Sequence, residues 1–347
     1  MKRFYLLFIS ALLSLAMNAR YIEVDGIFYR TEGLEAEVTS NPDKYYGEVI
    51  IPTTIKIDGI KYKVTSIGSH AFADCDCLTS VMITNNIKSI KEWAFKGCTN
   101  LSSIIISKEV QSIGDLAFAD CKHLTSFNIS SNVTSIGMGI FSGCSNLTSI
   151  IVESANAKYD SRNNCNAIIE TETNTLIAGC QKTIIPNTVQ TIGMDAFYGC
   201  STINTITIPN SVKLIDAGAF RSCTGLVSIK IPDSVTSLGS VAFADCTNLA
   251  SVTLPKNNTN FGGGVFGGCE SLTRITIPKI VTNIGETTFN ICHNLRDLYC
   301  YAITPPIAKE TTFTFCRDIT LHVPASAIDA YRETYPWKYF KSIVAIK

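Results

Sequence analysis

The chain has no surplus of charge. Lys and Arg number 29, Asp and Glu also number 29, and charged residues make up 17% of the 347. Binding to nucleic acid needs a basic patch that displaces counterions from phosphates, so that partner class is excluded. Histidine is scarce, and His70, His123, His293 and His322 fall in separate segments. No Cys-x-x-Cys pair occurs, and Cys75-Asp76-Cys77 has no matching second pair, so a zinc site is not expected. The run Gly262-Gly263-Gly264 lacks the Lys-Ser/Thr of a phosphate-binding loop. After the first residues, no apolar run is long enough to span a bilayer. With the usual seats of chemistry missing, the expectation is a non-enzyme with no catalytic residues, no metal and no cofactor.

The N-terminus carries the first positive signal. Lys2 and Arg3 precede an apolar run from Phe4 to Ala16, with small residues at Ala16 and Ala19. This is the pattern of a secretory signal peptide, assigned to residues 1–19, with the mature chain starting within residues 17–21. Its loss leaves 27 basic against 29 acidic residues. No cysteine precedes Cys75, so no lipid anchor is expected at the cleavage site.

A repeat dominates the rest. Phe72, Phe95, Phe118 and Phe141 are 23 residues apart; a 56-residue step leads to Phe197; then Phe220, Phe243, Phe266 and Phe289 follow at 23 and Phe313 at 24. Each has a cysteine three residues on, from Cys75 to Cys316. A period of this size means a solenoid, in which one coil cannot bury its apolar face alone and stacked coils can. In the unit from Leu226 to Cys246, Ile229 and Ile231 alternate with Ser228 and Lys230 as a strand ending at Pro232. Val235 and Leu238 begin a second extended stretch. Gly239 closes it, and Gly68, Gly114, Gly137, Gly193, Gly262 and Gly285 hold the same place, which suggests a turn at positive φ. Ala242, Phe243 and Cys246 read as a helical or 3₁₀ turn facing the core. Ten cysteines in one register read as buried free thiols behaving as small hydrophobes. Asp74, Asp120 and Asp245 read as solvated turn acids.

The ends read as caps. Residues 20–63 hold two strand–Asp-Gly–strand patterns, around Asp25-Gly26 and Asp58-Gly59, a hairpin signal. Residues 64–316 are the solenoid. Residues 317–347 form the other cap: Ile319–Val323 as the last solenoid strand, a short helix from Ser326 to about Tyr335, and apolar cover from Trp337, Phe340 and 343–346.

The unit strand–Pro-x-Ser-Val-x-x-Ile-Gly-x-x-Ala-Phe-x-x-Cys resembles the BspA-like leucine-rich repeat of bacterial surface proteins, related to the treponemal repeat class. The resemblance covers Val64 to about Cys316. It implies secretion or surface display and binding to extracellular matrix or other surface partners.

The long step holds an insertion at about 153–185. Thr171–Asn174 turns two apolar stretches back on each other, pairing Ile168 with Ile177 and Cys165 with Cys180, which makes Cys165 and Cys180 a candidate disulfide. The hairpin reads either as part of an alternative coil, on its convex side, or as a protruding recognition element. Outward strand positions are mostly small and polar, including Ser103, Ser126, Ser149 and Asn128; Met82, Ile105 and Ile151 are the apolar exceptions. These either lie under the N-terminal cap or mark a partner site.

The expected fold is therefore of α/β class: a right-handed leucine-rich-repeat solenoid with one continuous parallel sheet, a β-rich N-terminal cap and a short helix-containing C-terminal cap. The expected role is an exported, monomeric binding or adhesion protein of a bacterial cell surface. Its partners would be proteins of matrix, host or envelope, or a glycan, met at Met82, Ile105, Asn128, Ile151, Ser103, Ser126 and Ser149. The other reading is a structural protein organising envelope proteins or glycans.

Overall fold

In a computed structural model, residues 20–314 and 318–347 are described; the signal-peptide assignment and Cys316 lie outside them. The chain divides into two compact units, residues 20–141 with Val152–Ala157, and Ser142–Ile151 with Lys158–Lys347. Both are stacks of solenoid coils with parallel ladders and very little helix.

The first unit opens with β1 (Arg20–Val24), β2 (Ile27–Glu32) and β3 (Glu35–Val38). It continues through β4 (Gly47–Ile51), β5 (Thr54–Ile57), β6 (Ile60–Ile67), β7 (Leu78–Ile83), β8 (Ser89–Ile90), β9 (Ser103–Ile105), β10 (Ser112–Ile113), β11 (Ser126–Ile129) and β12 (Ser135–Ile136). Both expected hairpins form, β1 with β2 and β5 with β6. At their turns Asp25 and Gly26 have φ of 51° and 78°, and Asp58 and Gly59 have 50° and 84°. That double positive φ matches strand twist, which is why Asp-Gly marks such turns.

Each coil then contributes a long strand, a short strand and a tight turn bearing the Phe and Cys. The short strands β6, β8, β10 and β12 pair in parallel, one per coil. The turn adds its own coil-to-coil bonds, for example Phe72 N to Ala94 O at 2.7 Å and Phe95 N to Ala117 O at 2.7 Å. The Phe rings stack: centroids of Phe72, Phe95 and Phe118 lie 4.8 and 5.2 Å apart with planes within 7°. Phe127, replacing an aliphatic strand residue, wedges edge-on between Phe118 and Phe141 and tilts the next ring.

The second unit repeats the plan. Its short strands Thr191–Ile192, Leu214–Ile215, Ser237–Leu238, Asn260–Phe261 and Asn283–Ile284 form one parallel ladder. Phe197, Phe220 and Phe243 stack at 5.0 and 5.2 Å. At the C-terminal end α1 (Ile328–Glu333) is the one α-helix among the described residues. Trp337 is buried and its Nε1 donates to Pro306 O at 2.8 Å. Ser342–Ala345 pairs in parallel with Thr320–Val323, so the residues expected as loose apolar cover extend the sheet by a strand.

Several expectations need correction. The long strands do not merge into one continuous parallel sheet; in the second unit Ser228–Lys230 with Ser251–Thr253 forms one piece, and Arg274–Ile277 onward forms another. These strands are three or four residues long, and Pro232, Pro255 and Pro278 follow closely after them without an N–H to offer. The continuous ladders are those of the short strands. The glycine column is not a positive-φ column: Gly68, Gly114, Gly137, Gly193, Gly239, Gly262 and Gly285 all lie outside that region. What fixes them is close approach, since a Cβ on Gly239 would meet Ala217 N at 2.3 Å and one on Gly114 would meet Glu92 N at 2.5 Å.

Positive φ sits instead on both sides of the Phe. Before it come Trp93 (54°), Leu116 (53°) and Val241 (52°); one residue before the cysteine come Asp74 (55°), Gly97 (74°), Asp120 (59°) and Asp245 (59°). The Phe-Cys segment is thus two successive tight turns, not a helical turn. Asp74, Asp120 and Asp245 stand where Gly is the alternative because Asp tolerates the left-handed region.

From Lys158 onward the insertion belongs to the stack of the second unit. Tyr159–Asp160, Ala167–Glu170 and Thr175–Gly179 pair antiparallel in turn, and Thr175–Gly179 pairs in parallel with Thr191–Ile192, opening the ladder. Ala167, Ile169 and Leu176 lie in the core, so the hairpin is not a protrusion. Arg162 fastens the loop before it, through Asp160 at 2.6 Å, Asn174 at 2.8 Å and Thr188 at 3.1 Å. The predicted pairing holds near the turn, where Ile169 faces Leu176, but a bulge between Ile168 and Ile169 moves Ile168 to Ala178. Cys165 and Cys180 consequently remain two free thiols, donating to Ala167 O at 3.9 Å and Asn166 O at 3.3 Å.

Candidate functional site

In the first unit the long strands β4, β7 and β9 lie side by side in parallel. Alternation sends Val81 and Ile83 into the core and the next residues outward. The register makes two outward rows: Glu48, Ser80 and Ser103; and Ile50, Met82 and Ile105. The second row is an apolar ladder open to solvent, with Ile50 62%, Met82 41% and Ile105 56% exposed. The cap does not cover it. Instead β4 aligns beside β7 and adds Ile50 to the row. Ser126 and Asn128, exposed on β11 around the buried Phe127, continue the polar outward pattern on their own strand.

Ile50 escaped the sequence reading because residues 20–63 lack the Phe-Cys signature. A signal was present: Val49-Ile50-Ile51-Pro52 has the same strand-then-Pro form as Ile229-Lys230-Ile231-Pro232.

Beside the ladder, a cleft of about 470 Å³ opens between β4 and the β1–β2 turn. Glu23, Asp25, Asp43 and Glu48 line it with one ammonium, that of Lys44, whose Nζ is held by Ala73 O at 2.8 Å. Tyr45 forms its floor: its hydroxyl accepts from Phe28 N at 3.0 Å and donates to Thr39 O at 2.7 Å, and burial pushes its pKa up to about 12. It is therefore a neutral structural group and not a titrating one.

In the second unit, Ile151 is 52% exposed and Ser149 is half-buried on Ser149–Val152. Toward its C-terminal end the outward rows change character. The Tyr299 and His322 rings stack at 4.1 Å, Arg274 lies over Tyr299, and His322 Nε2 meets Asp297 Oδ1 at 2.8 Å. Register across three strands, which a single repeat does not display, makes these residues one cluster.

The cysteines offer no reactive centre within the core. Among the described thiols Cys77 alone is exposed. The others do more than fill space: Cys98 Sγ donates to Phe72 O at 3.0 Å, Cys223 to Phe197 O at 3.1 Å and Cys246 to Phe220 O at 3.1 Å, each reaching the preceding coil. Burial raises the pKa values of Cys98 and Cys223, and pushes Cys246 up to about 12 and Cys165 to about 11, so the thiolate needed for reaction is suppressed at these sites. Among the described residues no cluster of three or more His, Cys, Asp and Glu could hold a metal ion. Among them, too, no helix is long and apolar enough to cross a membrane.

With this geometry in hand, the lineage is settled by comparison. The model of the BspA type leucine-rich repeat region matches residues 53–171 and 174–296, most of the chain. The chain belongs to the BspA-type leucine-rich repeat family. No curated protein matches it. Among solved structures it is similar to the pneumococcal vaccine antigen PcpA, at 18% identity and a TM-score of 0.67, covering 95% of this chain and 100% of that one. A leucine-rich repeat protein from Eubacterium ventriosum is 21% identical with a TM-score of 0.60, covering 94% and 92%. A leucine rich cell surface protein from Faecalibacterium prausnitzii is 22% identical with a TM-score of 0.51, covering 94% and 98%. At these identities the likeness is one of fold.

Proposed function

We propose that this protein is an exported, non-catalytic surface protein that binds other proteins through the sheet face of its first unit. One observation carries the reading: Ile50, Met82 and Ile105 stand in register on three adjacent strands and face solvent. Fully covering an apolar side chain of this size is worth ~1.5–3 kcal/mol, so three together supply a useful share of a binding free energy. Ser80, Ser103, Ser126 and Asn128 give the surrounding face hydrogen-bonding capacity without fixed charge. In the second unit Ile151 and Ser149 offer a position of the same kind, to be tested separately. Export is supported by the Lys2-Arg3 and Phe4–Ala16 pattern, and surface display by the family. The partner class is a protein of extracellular matrix, host or envelope.

The test is capture by the immobilised protein from matrix extracts and from bacterial envelope, each run in parallel with an Ile105→Asp variant. Partners of the face are those retained by the native protein and lost by the variant while its melting temperature holds. An identical set of retained proteins on both columns would remove the face from the account. A large loss of stability would show Ile105 to be a core residue.

A further inference from the structure

The strand β4 has a neighbour on one side only. In its sheet the order is β4, β7, β9, so β4 is the end strand, and alternate N–H and C=O groups along it face away from β7. That open side is not buried. Tyr46, Glu48, Val49 and Ile50 of the β4 segment line the cleft opposite the β1–β2 turn, so the unpaired edge and the acidic lining share one space of about 470 Å³. A strand edge with free main-chain groups is a template for another strand, and its partner's side chains are then read by the flanking surface.

The flanking surface is specific in charge. Four carboxylates, Glu23, Asp25, Asp43 and Glu48, face one ammonium, which is already tied to a main-chain carbonyl. Among the described residues Asp25, Asp43 and Glu48 take part in no ion pair. A strand added beside β4 would set one outward residue next to Glu48 and another next to Ile50, and its inward residue next to half-buried Val49. The complementary sequence intersperses Lys or Arg with apolar residues. A second copy of this chain is disfavoured, because pairing two β4 edges would bring two such acidic sets together.

We infer that the open edge of β4 is a strand-addition site for an extended polypeptide segment of a partner protein that carries interspersed basic and apolar residues. This rests on the reading of the adjacent face as a protein-binding surface and names the chemistry of one partner segment. The bound segment adds a strand beside β4, with its basic residues on the outward face beside Glu48 and the acidic lining and its apolar residues on the inward face beside Val49.

The probe is a fluorescein-labelled peptide of three Lys-Val repeats, followed by fluorescence anisotropy with the full mature chain. β4 spans five residues, roughly 17 Å at strand rise, which this peptide covers. Three results are expected. N-methylation of alternate peptide nitrogens weakens binding by about tenfold or more, since each lost main-chain hydrogen bond is worth about a factor of ten. A Glu-Val peptide does not bind. The Asp43→Lys/Glu48→Lys variant, with its melting temperature unchanged, loses the Lys-Val peptide, and raising salt from about 50 to 300 mM weakens binding to the native chain. The Ile105→Asp variant keeps the peptide, because Ile105 lies two strands from the edge; it is the variant expected to lose the natural partner through the face. Equal binding of native and N-methylated peptides, or no binding of the Lys-Val peptide, overturns strand addition and leaves the face reading standing. Dimerisation of the chain through the same edge, seen by sedimentation and abolished by Ile50→Lys, also overturns it.

Discussion

Phe220→Ala removes a ring from the middle of a stack. Phe220 is fully buried, 5.0 Å from the Phe197 ring and 5.2 Å from Phe243, with planes within 5° on both sides. Its main chain is engaged as well, since Phe220 N donates to Ala242 O and Phe220 O accepts the Cys246 thiol. Those bonds survive the substitution in principle, so the loss is that of side-chain packing. Truncating a core Phe costs ~3–5 kcal/mol, and the two ring contacts place this site toward the upper part of that range. At roughly 2–4 °C per kcal/mol for a large domain, the melting temperature should fall by about 10 °C or more. The control is Lys230→Ala, an exposed outward strand residue, which should change stability by no more than ~0.5 kcal/mol. Differential scanning calorimetry of both variants decides it. Equal shifts would mean that the coil register is wrong.

Three further outcomes follow from the same geometry. In the native protein a thiol reagent should label Cys77, the exposed one among the described thiols, and reach the buried column only after unfolding, without any reductant; a column that stays silent in denaturant would be disulfide-bonded. The raised thiol pKa values also set a pH dependence: above about pH 9 the unfolded chain loses thiol protons that the folded chain keeps, up to about 12 for Cys246, so stability is full below that window and declines through it; a flat profile from pH 9 to 11 would contradict the burial of the column. Gly239→Ala should cost about 1–3 kcal/mol because its methyl would press on the Ala217 main chain, not because of any φ requirement, and a D-alanine placed there by semisynthesis should therefore bring no special relief.

Much of the fold was legible because it is repeated. Ten Phe-x-x-Cys units fix the coil length, and Asp25-Gly26 and Asp58-Gly59 announce their hairpins through the one backbone geometry that Asp-Gly serves best. What was misread turns on contacts between coils, which a single repeat does not display. The glycine column looks like a turn signal when one coil is read alone; its cause is the main chain of the neighbouring coil. The true positive-φ position is written in the sequence as Asp74, Gly97, Asp120 and Gly143; the acids there are turn acids open to solvent, as expected, and the alternation with Gly is the sign of their backbone geometry. The insertion hairpin was placed well at its turn, and the bulge at Ile168 is the kind of one-residue shift that residue sums do not detect.

The candidate site was half legible. Met82 and Ile105 stood out as apolar breaks in a polar column, and the structure sets them side by side. Ile50 and the acidic cleft depend on β4 joining the long-strand sheet, and β4 precedes the first Phe-Cys unit. The Arg274, Asp297, Tyr299 and His322 cluster needs register across three strands before its members become neighbours.

The central claim is that the outward face of the first unit, and not the repeat framework, carries binding. The most direct measurement is the affinity of a captured protein partner for the native chain and for the double variant Met82→Asp/Ile105→Asp, alongside the melting temperature of each. The account predicts at least a hundredfold loss of affinity, about 2.7 kcal/mol, with a melting temperature within a few degrees of native. Undiminished affinity in a well-folded double variant would contradict it.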